Sequence, residues 1–139
     1  MSQSLVQLYL HIVFSTKNRV AYLADEKLLI VIHKYLHGIC DKQECPAIKV
    51  GGVADHVHIL CRLGKTGSVT TLVGHLKRDS SKHAKTISPR LKQAGYGAFS
   101  ISPGHVDALV EYIANQADHH RKVSFQDEFR PLLRKYRIE

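Results

Sequence analysis

His56-Val57-His58 sets two imidazoles at positions i and i+2. On an extended strand such residues project to the same face, with Cβ atoms about 6–7 Å apart. That spacing lets both rings reach one metal ion. The triplet also reads as a pair of surface histidines in a chain that holds ten of them. The surrounding alternation favours the first reading. Val57, Ile59, Cys61 and Leu63 are apolar and should face the helices, leaving His56, His58 and Arg62 on the opposite face. A second chemical feature is Tyr112-Ile113-Ala114-Asn115-Gln116. Tyr112 and Gln116, four apart, become stacked neighbours on one side of a helix, while Val106, Leu109 and Ile113 form its buried side. Taken alone, Tyr112 reads more readily as the rim of an amphipathic helix, and Gln116 as a solvated polar residue.

These residues need a frame. Residues 4–15, SLVQLYLHIVFS, are rich in β-branched, aromatic and aliphatic side chains and read as a first strand. Asp25 is a plausible N-cap for a helix to about Asp41, with Leu28, Leu29, Ile32, Leu36 and Ile39 at helical spacing. Ile48–Val53 reads as a second strand and His56–Leu63 as a third. Ser68 caps a second helix through Leu72, Val73 and Leu76 to about Lys85, and Tyr96–Ile101 is a fourth strand. Ser102-Pro103 opens the tyrosine helix, with proline where a missing N–H costs nothing. A last helix, Ser124 towards Tyr136, puts Phe125, Phe129, Leu132 and Leu133 inward despite Pro131. The order is β-α-β-β-α-β followed by helices, so the fold class is α+β. It is a ferredoxin-like antiparallel sheet with additional C-terminal helices, the first of which carries Tyr112.

Composition bounds the function. The chain has 139 residues, enough for one hydrophobic core, and a formal net charge of +8. Such an excess favours polyanions, of which phosphate backbones are the commonest. No segment has the roughly 20 apolar residues of a membrane helix, and the N-terminus has no signal-peptide pattern. Cys40, Cys45 and Cys61 are odd in number with no CxxC pair, which points to reduced thiols and a cytoplasmic protein.

Together, Asp55-His56-Val57-His58-Ile59-Leu60, Gly95-Tyr96-Gly97-Ala98-Phe99-Ser100 and Tyr112-Ile113-Ala114-Asn115-Gln116 resemble the IS200/IS605 transposases, single-tyrosine (Y1) members of the HUH endonuclease superfamily. The resemblance extends to Leu8–Ser15 and to Leu76–Lys82, so that 1–139 is expected to form a single IS200-like domain. It implies that Tyr112 is the nucleophile and that His56, His58 and Gln116 hold a divalent metal, Mg2+ or Mn2+. It further implies a homodimer that cleaves and rejoins single-stranded DNA at hairpin-bearing element ends through a covalent 5′-phosphotyrosine. Asp55 then either orients His56 or serves the turn. Lys77, Arg78, Lys82, Lys85, Arg121 and Lys122 are assigned as a group to the DNA backbone. A domesticated relative that processes palindromic repeats fits the same residues. A non-catalytic RRM-like module fits less well, because histidines rather than aromatics occupy the exposed positions of the third strand.

Overall fold

Alternation of side chains along four strands builds a sheet with two different faces. The computed structural model describes residues 5–16, 26–87, 93–116 and 125–137. Its elements are β1 (Leu8–Thr16), α1 (Glu26–Lys42), β2 (Ala47–Val53), β3 (His56–Leu63), α2 (Val69–Ile87), β4 (Gln93–Ile101), a 3-10 turn (Pro103–His105), α3 (Val106–Ala114) and α4 (Phe125–Lys135). The strands lie in the order β2-β3-β1-β4, and every neighbouring pair is antiparallel. This is the expected ferredoxin-like arrangement, with β1 and β3 central and α3 and α4 appended.

One face carries the main core. Leu10, Ile12 and Phe14 of β1 and Val57, Ile59 and Cys61 of β3 pack against Leu28, Ile32, Leu36 and Ile39 of α1 and Leu72, Val73 and Leu76 of α2. On the other face Leu60 packs with Leu109 and Ile113 of α3. The period of two in β3 therefore puts Val57, Ile59 and Cys61 under the first two helices. His56, His58 and Leu60 lie under the C-terminal ones. All three cysteines are free and buried. Among the described residues no helix is long and apolar enough to cross a membrane.

Several boundaries differ from expectation. β1 begins at Leu8 rather than residue 4, with Leu5, Val6 and Gln7 exposed ahead of it. β2 starts one residue early at Ala47, and β4 extends back to Gln93 because Thr16 of β1 pairs with it. Ser68 caps α2 as expected, accepting the Thr71 N–H at 3.1 Å. Ser102 makes no such bond; its hydroxyl meets His105 Nδ1 at 2.5 Å, and Pro103 opens a 3-10 turn before α3. Asp25 and Ser124, the expected caps of α1 and α4, lie outside the described residues, as do the side chains of Phe125, Phe129 and Leu132. Leu133 is half-buried.

The docking of α3 on β2 runs through a glycine. A Cβ on Gly51 would stand 2.7 Å from Ile113 Cγ2 and 2.9 Å from the Ile113 carbonyl oxygen, so the helix that carries Tyr112 sits directly on bare backbone. Gly51→Ala should force α3 outward and lower stability by about 1–3 kcal/mol in urea denaturation. Gly74→Ala on α2, where an added Cβ meets nothing within 4 Å, should be neutral or stabilising. An unchanged midpoint for Gly51→Ala would mean that α3 does not dock there.

Candidate active site

His56 and His58 are 1% and 0% exposed, so each ring nitrogen needs a partner. His56 Nδ1 lies 2.7 Å from Asp55 Oδ1, whose carboxylate accepts the Nδ1–H and orients the ring, while the Asp55 carbonyl, in the turn before β3, accepts the Thr16 N–H at 2.8 Å. His56 Nε2 lies 3.0 Å from Gln116 Oε1. Gln116 is itself oriented by its Nε2–H, which donates to the Tyr112 carbonyl at 3.3 Å. His58 Nε2 lies 2.9 Å from Glu128 Oε1, and His56 Nε2 is 3.8 Å from the same oxygen. Behind His58, its Nδ1 meets His11 Nε2 at 2.8 Å.

This donor set fits a divalent cation. His56, His58 and Glu128 are all buried, and one ligand atom from each lies within 4.8 Å of the others. Two ligands at about 2.1 Å from one octahedral ion and at right angles are about 3 Å apart, and opposite ones about 4.2 Å. The 2.9, 3.0 and 3.8 Å separations fall in that range.

Tyr112 completes the cluster. Its ring meets His58 edge-on with centroids 5.6 Å apart, and its hydroxyl is in hydrogen-bonding reach of Glu128 and Gln116. Burial, then the Glu128 charge, pushes its pKa well above the ordinary phenol value, so the hydroxyl is held neutral. Burial pushes His11 down to about 3, with the neighbouring His58 adding to the shift. Tyr136, whose hydroxyl lies 3.1 Å from His11 Nδ1, is raised by burial to about 12.

The expected residues Tyr112, His56, His58 and Gln116 thus meet within one chain. One detail changes: α3 ends at Ala114, and Asn115 caps it, so Gln116 follows the helix rather than riding on it. Of the basic group, the described members Lys77, Arg78 and Lys82 do not gather at the site. Lys77, Arg78 and Lys82 belong to α2, whose apolar side packs on the sheet face away from the histidines. Arg78 directs its guanidinium to His75 at 2.9 Å and to Asp79 at 3.4 Å. The Lys85 side chain, Arg121 and Lys122 lie outside the described residues. Sequence reasoning missed Glu128, His11 and Tyr136. Glu128 stands three residues after Phe125 and four before Leu132, on the stripe marked as apolar, and His11 shares its strand face with Tyr9 and Val13.

The depressed histidines give stability a pH dependence. Folding holds His11 at about 3 and His33, also desolvated, at about 4, against an ordinary value of 6.5. The unfolded chain therefore binds more protons between those values and 6.5. The stabilising contribution is complete above pH 6.5 and is lost as pH falls towards 3. From His11 alone, metal-free protein should lose about 2 kcal/mol between pH 7.5 and 5. Urea midpoints at the two pH values measure this, and a flat profile would contradict the burial of neutral His11.

The family described as "Transposase IS200 like" matches residues 4–116. Among curated proteins there is no match to the chain. A candidate transposase from Deinococcus radiodurans r1 superposes with a TM-score of 0.65 at 22% identity, covering 84% of this chain and 98% of that one. A REP-associated tyrosine transposase bound to a REP hairpin superposes with a TM-score of 0.63 at 14% identity, covering 88% of this chain and 76% of that one. At such identities the two structures speak for the fold alone, whereas the family match spans most of the sequence. The chain belongs to the family of IS200-like transposases.

Proposed function

We propose that this transposase cleaves and rejoins single-stranded DNA at hairpin-bearing ends, with Tyr112 as nucleophile and His56, His58, Gln116 and Glu128 holding a divalent metal. The observation that carries the reading is the convergence of His56 Nε2, His58 Nε2, Gln116 Oε1 and Glu128 Oε1 beside the Tyr112 ring. A carboxylate and an amide oxygen beside two imidazoles suit Mg2+ or Mn2+ better than imidazoles alone. When bound, the cation offsets the Glu128 charge beside the phenol, neutralises the scissile phosphate and stabilises the departing 3′ oxygen.

The chain's own residues do the rest. Asp55 and Gln116 hold the His56 ring, and the Gln116 bond to the Tyr112 carbonyl ties that ring to the nucleophile's backbone. Glu128, in reach of the Tyr112 hydroxyl, is the group positioned to take its proton. Attack of the Tyr112 oxygen on phosphorus forms the 5′-phosphotyrosine as the P–O3′ bond breaks, and the strand leaves with a free 3′ hydroxyl. The phosphotyrosine keeps the bond energy, so a second 3′ hydroxyl can reverse the attack without ATP.

A solved neighbour holds a REP hairpin, which supports a hairpin-bearing nucleic acid as the partner. Arg130, Arg134 and Lys135 are exposed on α4, the helix that carries Glu128, and with the α2 cations they are available to phosphates. The reading places one such domain in a cytoplasmic protein that forms a homodimer. If each subunit uses its own Tyr112, mixing Tyr112→Phe with His56→Ala protein should restore no cleavage; restored cleavage would mean that the two subunits share their sites.

Tyr112→Phe should keep hairpin binding and abolish cleavage. His58→Ala, or EDTA on the wild type, should lower cleavage at least about 100-fold, equivalent to about 2.7 kcal/mol of transition-state stabilisation. On a denaturing gel, label 3′ of the break should migrate with the protein and label 5′ of it should run free. Protein-linked label from the 5′ side, or full activity in EDTA, would refute the assignment.

A further inference from the structure

His58 is gripped from behind as well as in front. Its Nε2 faces Glu128, while its Nδ1 lies 2.8 Å from Nε2 of His11 on the neighbouring strand β1. His11 is fully buried, and the two rings stack with centroids 5.1 Å apart and planes 21° from parallel. The far nitrogen of His11, Nδ1, lies 3.1 Å from the Tyr136 hydroxyl. Tyr136 stacks flat on Phe99 of β4, with centroids 4.3 Å apart and planes 5° from parallel. A single line of polar atoms thus runs from the histidine pair, across β1, to the turn that ends α4.

Proton bookkeeping gives this line a direction. An imidazole that ligates a cation through Nε2 carries its only proton on Nδ1, and that N–H needs an acceptor in a dry interior. At His58 the acceptor in place is His11 Nε2. To accept, His11 must be bare at Nε2, so its one proton sits on Nδ1 and is donated to the Tyr136 oxygen. Each nitrogen in the line then has one defined role. An apolar residue at position 11 would leave the His58 ring free to rotate about its χ2 bond, and a lysine would bring only donors to a site that requires an acceptor. Filling the space would not require an imidazole, because burying one without bonding both nitrogens is costly.

We propose that His11 is the positioning residue of the metal site: it fixes the ring orientation and the Nδ1–H tautomer of His58, and Tyr136 fixes His11 in turn. The inference rests on the reading of His56 and His58 as metal ligands and adds to it a buried residue from the opposite strand. It also ties the site to the end of α4, so the helix that supplies Glu128 is anchored on the same line that orients His58.

The test combines NMR on the wild type with metal titration of variants. In metal-free wild-type protein labelled with 15N, a scalar coupling across the shared proton should connect His58 Nδ1 and His11 Nε2. With Mg2+ added, that proton should reside on His58 Nδ1. Mn2+ titration followed by electron paramagnetic resonance should show His11→Phe binding about 10–100-fold more weakly, the usual cost of losing a ligand's outer partner. His11→Gln, whose amide can still accept from Nδ1, should recover most of that loss. Tyr136→Phe, which keeps the stack on Phe99 but lacks the hydroxyl, should lose less than His11→Phe. Absence of the coupling in the wild type, or His11→Phe and Tyr136→Phe both binding Mn2+ as tightly as wild type, overturns the role of His11 and leaves the metal reading standing. Failure of the wild type itself to bind Mn2+ overturns the metal reading and this inference with it.

Discussion

Two imidazoles buried in the middle of a sheet impose conditions on everything around them. Neither His56 nor His58 reaches water, so four ring nitrogens must be matched inside the protein. The matches come from four places: Asp55 in the turn before β3, Gln116 after α3, Glu128 on α4 and His11 on β1. A displacement of any of these elements would leave a buried polar nitrogen unbonded, at a cost of about 1–3 kcal/mol. The polar cluster therefore fixes where the C-terminal helices sit, while the apolar contacts of α3 amount to Leu60, Leu109, Ile113 and a few half-buried neighbours.

The two faces of the sheet divide the work. Under α1 and α2 lies a large aliphatic core that contains most of the buried side chains of β1 and β3. That face supplies stability without involving the site. The other face holds a small apolar cluster and the polar one, and the close seat of α3 on Gly51 sets the height of Tyr112 above the histidines. The same strand alternation feeds both, since Val57 and Ile59 point one way and His56 and His58 the other. A slip of one residue in the register of β3 would bury the histidines in the aliphatic core and expose its valine and isoleucine.

Much of this was legible in the sequence because it is local. The period of two in residues 56–63 placed the histidines on one face, and the helical spacing of Val106, Leu109 and Ile113 left Tyr112 on the rim. What stayed hidden depends on contacts between distant segments. Glu128 meets His58 across 70 residues, and Tyr136 meets His11 across 125. Glu128 sits on a stripe with Phe125 and Leu132, where the apolar pattern of the helix drew attention away from an acid. A carboxylate on the inner stripe of an amphipathic helix was the available signal, since such a group is seldom buried without a partner. The placement of the basic residues stayed hidden for a related reason. Charge runs identify a solvated surface but not which sheet face it belongs to, and α2 lies across the sheet from the histidines.

The buried carboxylate is itself held by hydrogen bonds. An isolated Glu128 charge in this interior would be strongly disfavoured. Here its Oε1 is bonded by His58, and the Tyr112 hydroxyl is in reach. These bonds hold the donor atoms at about the separations of one coordination sphere. The same arrangement keeps the Tyr112 hydroxyl protonated. A negative carboxylate beside a desolvated phenol pushes its ionisation up, and only added positive charge between them can reverse that push. Preorganisation of the donor atoms and restraint of the Tyr112 hydroxyl thus come from one residue, Glu128, supplied by the last described helix.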